Sequence, residues 1–174
     1  MAVHLGDFED LSERCRGFGG GGLAGFLADE RISALGWPED VVEQWLYWFA
    51  GWSSFQADYG HLDLTSIEWH VELIPSEAFL TMPTGPSDGD LLDENAENAE
   101  HRLESRKHLG IPAYWDSHGT WMRRPLLIDR AALHPAGNGL QVIEGRTRVG
   151  ILRGLVQRGR SVAPEHAAWV AQTR

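Results

Sequence analysis

The chain has 174 residues, of which 43% are hydrophobic and 23% are charged, so it can form a hydrophobic core and is not a disordered tail. Its formal net charge of −10 argues against a general nucleic-acid coat protein, because phosphate contacts are made mostly by Lys and Arg, and we expect no direct binding of nucleic acid. The single cysteine, Cys15, excludes a disulfide within the chain and fits a reducing compartment.

The first 13 residues lack the features of a signal peptide. They contain no basic segment and no apolar run, and four acidic residues interrupt them. The most apolar stretch, 41–52, contains Glu43 and Gln44 and is well short of the roughly 18 apolar residues of a membrane span. We therefore expect a cytoplasmic protein with no membrane segment.

Charge is divided unevenly along the chain. Residues 1–122 contain 22 acidic and 6 basic side chains, whereas residues 123–174 contain 3 acidic and 9 basic ones. An anionic ligand is therefore expected near the C-terminal end, whereas the acidic N-terminal part suits a basic partner.

The first 36 residues have a weak pattern. Residues 11–16 predict one or two helical turns that end in the glycine-rich segment 17–22. The four consecutive glycines at 19–22 have great backbone freedom, and we interpret them as a flexible linker. No Gly-Lys-Ser/Thr follows them, so the phosphate-loop motif is absent.

Helical signals strengthen after residue 36. Pro38 and the acidic pair that follows it suit the first turn of a helix, and apolar residues at helical spacing continue to Gly51. Trp45, Trp48 and Trp52 recur along this segment. Indole rings at such spacing bury large apolar areas, so we predict a core or an interface here rather than a ligand cage.

The next two segments predict a strand and a loop. Residues 67–74 alternate between apolar and polar with period two, which is typical of a half-buried strand, and Pro75 closes it. Residues 83–90 are rich in proline and glycine and predict a loop.

Residues 91–108 predict a second helix, because an acidic first half and a basic second half are in the order that the helix dipole favours. Glu97 with His101, and Glu104 with His108, have the four-residue spacing of helical metal ligands. Any charged, solvated helix gives the same spacing, so we predict no metal site.

Beyond residue 112 the chain predicts short alternating elements. Strand-like segments at 125–128 and 140–143 flank a turn-rich segment at 134–139, and an apolar helical pattern and a last strand follow at 149–159 and 167–171. Three triad-type side chains adjoin each other at Asp116, Ser117 and His118, but adjacency in sequence does not give triad geometry. We predict a loop there.

The strongest functional signal is the junction of strand and helix at 140–156. A helix N-terminus carries unpaired N–H groups and about half a positive charge, so it attracts anions. Gly145 lets a ligand approach the backbone, and Arg146 and Arg148 can grip phosphate or carboxylate. Glu144 could pair with an arginine, hold a metal or accept a proton from a substrate hydroxyl. The alternative is a set of surface salt bridges around a tight turn.

This junction carries a family resemblance. Residues 142–154, VIEGRTRVGILRG, resemble the Asp/Glu-Gly-x-x-Arg strand-to-helix motif of the ParB N-terminal/sulfiredoxin-like superfamily. The segment 125–128 fits the preceding strand, and 67–79 fits the opening strand and the turn after it. The resemblance covers about residues 66–172. The superfamily includes nucleotide-binding chromosome-segregation proteins, a sulfinic-acid reductase, a free-serine kinase and nuclease-like proteins.

The resemblance implies that this turn binds the phosphates of a nucleotide (CTP, ATP or ADP), with or without magnesium, or of another phosphorylated small molecule. Gly145 and Arg148 match the motif's fixed glycine and arginine, and Glu144 matches its acidic position. Thr147 stands where many members have histidine, and Arg146 stands where the reductase has cysteine, so reductase activity is excluded. Kinase or nuclease activity loses an acid/base group at this point, which leaves Glu144 as the candidate base.

One residue outside the motif joins the candidate site. His134 precedes a proline in the loop that we expect to face the motif, and we count it among the candidate phosphate- or nucleotide-binding residues.

We predict an α/β or α+β fold, with a small mixed sheet and flanking helices. A helical N-terminal extension covers 1–65, and a ParB/sulfiredoxin-like domain covers 66–174. Two functions follow, and whether the chain is an enzyme is left open. The first is a nucleotide- or phosphate-binding protein, with phosphotransferase or nuclease-like activity as its enzymatic form. The second is a non-enzymatic, immunity- or inhibitor-type protein whose acidic, Trp-rich N-terminal half binds a basic toxin or nuclease.

Overall fold

The computed structural model of the chain describes residues 2–174. At its centre lies a mixed sheet of four strands: β1 (Ile67–Pro75), β2 (Leu126–Asp129), β3 (Leu140–Glu144) and β4 (Glu165–Thr173). Each strand lies within two residues of the bounds predicted from the sequence. Helices cover both faces of the sheet, which confirms the α+β class.

The strands lie in the order β1-β4-β2-β3. β1 pairs with β4 antiparallel, β4 pairs with β2 parallel, and β2 pairs with β3 antiparallel. Beyond β3, Thr84 forms an isolated bridge to Val142, so a loop segment covers that edge. β1 forms the opposite edge.

One face of the sheet is covered by helices of the N-terminal part: α1 (Glu9–Arg16), α2 (Gly22–Leu27), α3 (Glu30–Leu35), α4 (Glu39–Val42) and α5 (Ser53–Tyr59). α4 continues as a π-helical turn over Glu43–Tyr47, so the helix predicted between Pro38 and Gly51 is confirmed. Short 3-10 turns lie at Leu5–Phe8 and Leu64–Ser66.

The glycine-rich segment differs from the predicted flexible linker. It forms a tight turn between α1 and α2, and Gly22 already belongs to α2. A Cβ atom on Gly20 would lie 1.8 Å from the carbonyl oxygen of Arg14. Close backbone packing, rather than freedom, explains the glycine at position 20.

The other face carries α6 (Ser76–Thr81), α7 (Leu91–Glu97), α8 (Ala99–Glu104), α9 (Ile111–His118) and α10 (Arg146–Gln157). Asn98 separates α7 from α8 within the helix predicted over 91–108. The loop predicted at 116–118 is wrong, because these residues form the last turn of α9. Three-residue 3-10 turns lie at Pro86–Asp88, Lys107–Leu109 and Arg130–Ala132.

Two glycines hold α10 against α7. A Cβ atom on Gly150 would lie 2.3 Å from Asn95 Cβ, and one on Gly154 would lie 2.3 Å from the carbonyl oxygen of Ala96. The helices therefore approach more closely than larger residues allow. This packing fixes the position of α10 and of the turn before it.

Trp45 lies in the core between the N-terminal helices and the sheet, where it stacks on Trp37 and contacts Trp69 edge to face. Trp48 and Trp52 lie at the surface instead, with 45% and 50% of their area exposed. Residues of the predicted extension, 1–65, share this core with the strands, so the extension packs directly on the sheet. Among the helices described between residues 2 and 174, none has the length and apolar character to cross a membrane.

Candidate anion-binding cleft

The turn between β3 and α10 depends on a glycine. Gly145 is the N-cap residue of α10 and has φ = 93°, in the left-handed region that favours glycine. A Cβ atom here would lie 2.5 Å from Pro125 Cβ. The glycine is thus required by the fold itself, because it lets the turn pack on the residue before β2.

The N-terminus of α10 points toward a cluster of charged side chains. Within residues 2–174 no side chain caps the helix at its N-cap position. The backbone N–H of Gly145 donates to the Glu144 carboxylate, which lies just before the helix. The Glu144 carboxylate therefore interacts with the partial positive charge of the helix terminus, and an anionic ligand bound here would interact with the same charge.

Arg148 reaches from the first turn of α10 toward the helix that contains the π-helical turn. Its Nη2 donates to Gln44 Oε1 at 2.7 Å, its Nη1 donates to the carbonyl oxygen of Arg123 at 3.3 Å, and Nη2 lies 3.6 Å from Glu144 Oε1. The side chain is 21% exposed. Burial lowers the pKa of Arg148, yet a guanidinium titrates so high that it stays charged at neutral pH.

Gln44 is the buried partner that orients Arg148. It lies in the π-helical turn, and its Nε2 donates to Asp40 Oδ2 and to the carbonyl oxygen of Arg124, both at 3.1 Å. These two bonds leave Gln44 Oε1 directed at Arg148. A π-helical turn inserts an extra residue into a helix and frequently occurs at functional sites.

Arg123 adds a second guanidinium beside Arg148. Its Nε lies 2.7 Å from Asp40 Oδ1, and its Nη2 lies 2.6 Å from Glu43 Oε2. Partial burial acts to lower the pKa of Arg123, but the hydrogen bond and charge of Asp40, with the charge of Glu43, raise it overall. Side chains from both halves of the chain therefore build this charged cluster.

A cleft of about 440 Å³ opens beside the cluster. This volume is in the range of small-molecule sites, about 300–1,000 Å³. Its lining combines polar residues with apolar and aromatic ones, and we call Trp48, Phe49, Trp115 and Trp121 the aromatic wall. The polar residues are Gln44, Arg106, Arg123, Glu144, Gly145, Thr147 and Arg148, and the apolar ones are Trp48, Phe49, Leu109, Ile111, Trp115, Trp121, Met122 and Ile151.

The structure brings four of the six predicted site residues to this cleft: Glu144, Gly145, Thr147 and Arg148. Arg146 does not line the cleft: its guanidinium lies 2.5 Å from Asp88 Oδ1 and stacks over Phe55 and Phe49 at 5.0 and 5.6 Å from the ring centroids. Its Nε is also 3.8 Å from Glu144 Oε2, so Arg146 contacts the cleft only through that carboxylate and Phe49.

His134 also lies apart from the cleft lining. It is exposed in the turn after β2, and its ring centroid is 5.0 Å from that of His61. The expected approach of this loop to the Gly145 turn is not seen in the side-chain contacts of His134.

Sequence patterns did not identify Gln44 or Arg123 as residues of the cleft. Gln44 and Arg123 lie 104 and 25 residues from Arg148 in the chain, and tertiary packing brings each of them into contact with it. The basic pair at 123–124 was visible in the sequence as part of the positive C-terminal region.

No protein-family model, curated protein or solved structure matches this chain. The resemblance to the ParB/sulfiredoxin-like superfamily therefore stays a prediction, and the chemistry of the cleft rests on its own residues. Within residues 2–174 no group of three or more His, Cys, Asp or Glu side chains is placed to hold a metal ion.

Proposed function

We propose that the cleft binds a nucleotide, or a similar small molecule that joins a phosphate to a flat ring. The observation that supports this most is that Arg148, the N-terminal turn of α10 and three tryptophans line the same cleft. A phosphate and an aromatic base need these two kinds of surface together.

The phosphate belongs at the start of α10. Thr147 contributes a hydroxyl and a backbone N–H in the first helical turn, and Arg148 contributes a guanidinium. A phosphate would compete with Glu144 and Gln44 for these donors. Its greater charge and its three acceptor oxygens give it stronger hydrogen bonds than the neutral amide makes.

The base belongs against the aromatic wall. Trp121 is buried and holds a fixed position, because its Nε1 donates to the carbonyl oxygen of Ala167 at 2.7 Å. Trp48 is half exposed at the mouth of the cleft. Stacking of one base on an aromatic side chain contributes about 1–3 kcal/mol, enough to distinguish a nucleotide from inorganic phosphate.

In the enzymatic form of this proposal, Glu144 is the general base, that is, the residue that accepts a proton from the substrate. Of the described residues that line the cleft, it is the only carboxylate, and it adjoins the phosphate-binding turn. A phosphotransferase or nuclease-like reaction needs such a proton acceptor. Replacing Glu144 with Gln should then abolish turnover and leave nucleotide affinity unchanged or increased, since an anionic competitor is removed.

A fluorescence and thermal-shift titration with CTP, ATP and ADP, with and without magnesium, tests the binding proposal. Trp48 and Trp121 are reporters within the cleft. Saturating ligand at 100 times Kd should stabilise the fold by about 2.7 kcal/mol. Arg148→Gln should reduce this stabilisation at the same ligand concentration by at least about 1.4 kcal/mol. Arg160→Gln is the matched control, because Arg160 is half exposed and pairs with Asp116 away from the cleft. Absence of any response from the unmodified protein would contradict the proposal.

A second candidate function rests on the N-terminal surface. Trp52 is 50% exposed beside Gly51, and Glu9 and Glu13 approach the same glycine. Exposed aromatic area next to acidic side chains is typical of a surface that binds a basic protein. This supports the immunity- or inhibitor-type proposal. A genetically adjacent basic protein should form a complex that survives high salt, and Trp52→Ala should weaken it. Dissociation of the complex in high salt would contradict specific docking.

A further inference from the structure

The two edges of the sheet differ. At β3, the backbone N–H of Val142 donates to the carbonyl oxygen of Pro83 at 2.8 Å, so a loop segment occupies that edge. At β1, no strand or loop of the described chain, residues 2–174, pairs with the outer side. An open edge strand presents free N–H and C=O groups to any strand of suitable sequence.

The register identifies which residues present those groups. Val71 lies opposite Trp169, whose N–H donates away from β1, to the carbonyl oxygen of Pro125. In an antiparallel ladder this makes Val71 and Trp169 a non-hydrogen-bonded pair, so the N–H and C=O of Val71 point outward. Because backbone groups alternate in direction along a strand, the N–H and C=O of Trp69 and Leu73 point outward as well.

Both ends of the open segment are bounded. At the start, Trp37 Nε1 donates to the outward carbonyl oxygen of Ile67 at 3.3 Å and so covers it. At the end, Pro75 has no N–H to donate. Residues 69–73 remain open, and within them Val71 and Leu73 are 44% and 64% exposed. Natural edge strands usually carry a lysine, a proline or a bulge at such places.

We propose that a second copy of this chain pairs with residues 69–73 of β1, antiparallel and with the two-fold axis at Val71. The sequence of the segment, Trp-His-Val-Glu-Leu, is complementary to itself in this register. Val71 faces Val71 of the other copy, Leu73 faces Trp69, and Glu72 faces His70. A carboxylate that can accept a hydrogen bond from a facing imidazole, and an aromatic–aliphatic pair, are favourable across strands.

Charge selects this register over its neighbours. A two-fold axis at His70 would place the two His70 side chains opposite each other and would set Glu68 against Glu72. An axis at Glu72 would place the two Glu72 carboxylates opposite each other. Like charges directly opposite are destabilising, whereas the axis at Val71 has none. The two sheets then continue as one sheet of eight strands.

Cysteine cross-linking tests both the interface and the register. In Val71→Cys the two sulfur-bearing residues would form a hydrogen-bonded pair with Cα atoms about 5.5 Å apart, within disulfide range. In Leu73→Cys each cysteine would face residue 69 of the other copy. The two cysteines would then lie four residues apart, about 13 Å along the strands, and could not form a disulfide. The native Cys15 is buried and does not interfere.

With oxidised glutathione, we expect a covalent dimer from Val71→Cys and none from Leu73→Cys. Sedimentation of the unmodified protein should show a concentration-dependent dimer. Val71→Lys would place the ammonium groups of the two copies opposite each other at the axis, where they repel. This variant should be monomeric with an unchanged circular dichroism spectrum. Equal cross-linking of both cysteine variants would overturn the register. A monomer at all concentrations, or absence of cross-linking in Val71→Cys, would overturn the proposal and leave the edge to a different protein's strand.

Discussion

The two arginines after Gly145 lie two residues apart in one helical turn, yet their guanidinium groups have different surroundings. Arg146 is enclosed by Asp88, Phe49 and Phe55, with 14% of its side chain exposed. Arg148 borders an open cleft and contacts a neutral amide, a backbone carbonyl oxygen and a carboxylate 3.6 Å away. The ion pair with Asp88 and the contacts with two aromatic rings satisfy the Arg146 guanidinium within the fold. Arg148 has no such close carboxylate or ring, so its guanidinium can bind an anionic ligand.

The largest expected effect comes from the turn that precedes both arginines. Gly145→Ala forces a Cβ atom against Pro125 in a left-handed backbone conformation. Overpacking and backbone strain should together lower the free energy of unfolding by about 4 kcal/mol. Urea denaturation measures this. Gly139→Ala is the matched control, since Gly139 has φ = 78° with nothing within 4 Å, and should cost about 1 kcal/mol. Equal costs would show that Pro125 does not confine the turn.

Acid should weaken the region behind the aromatic wall of the cleft. His166 is buried, its ring centroid is 4.8 Å from that of Trp121, and its ring nitrogens lie 2.9 Å from Ser76 Oγ and 2.7 Å from Thr120 Oγ1. Burial lowers the pKa of His166 from 6.5 to about 4, although a hydrogen bond with the Ala163 backbone acts in the opposite direction.

Between pH 6.5 and about 4 the unfolded chain therefore binds a proton at this position that the folded chain does not. The free energy of unfolding should fall by about 3 kcal/mol as pH decreases through that window. Urea denaturation at several pH values measures the slope. In His166→Asn the slope over this window should largely disappear, and an unchanged slope would assign the effect to other groups.

Arg146→Met tests the enclosed side of the turn. Methionine keeps the contact with the rings but leaves the carboxylate of Asp88, 10% exposed, without its cation. The free energy of unfolding should fall by about 2 kcal/mol, because an unpaired, largely buried charge is unfavourable. The double variant with Asp88→Asn should recover part of the loss. A single variant as stable as the unmodified protein would contradict the structural role of Arg146.

The sequence predicted the elements with strong periodicity and missed those without it. The strand ending at Pro75 and the helix from Pro38 have apolar residues at the spacing of their own secondary structure, and both were located correctly. α9 was missed because its polar last turn, 116–118, has no apolar periodicity. The π-helical turn was missed because the same residues satisfy an ordinary helix, and only packing decides between the two.

The candidate site was predictable only in its local part. Glu144, Gly145 and Arg148 follow from the strand–turn–helix pattern, and all three line the cleft. The direction of Arg146 depends on Asp88, which lies 58 residues away in sequence, and the orientation of Arg148 depends on Gln44, which lies 104 residues away. Such long-range partners are set by tertiary packing and leave no periodic signal in the chain.

The measurement that tests the central claim most directly is nucleotide affinity in Arg148→Gln and Arg146→Met, compared side by side. Both variants remove one guanidinium from the same helical turn, and tryptophan fluorescence reports on the cleft in each. We predict at least about a tenfold loss of affinity in Arg148→Gln, equivalent to about 1.4 kcal/mol, and unchanged affinity in folded Arg146→Met. Equal losses in both, or a loss in Arg146→Met alone, would contradict the account.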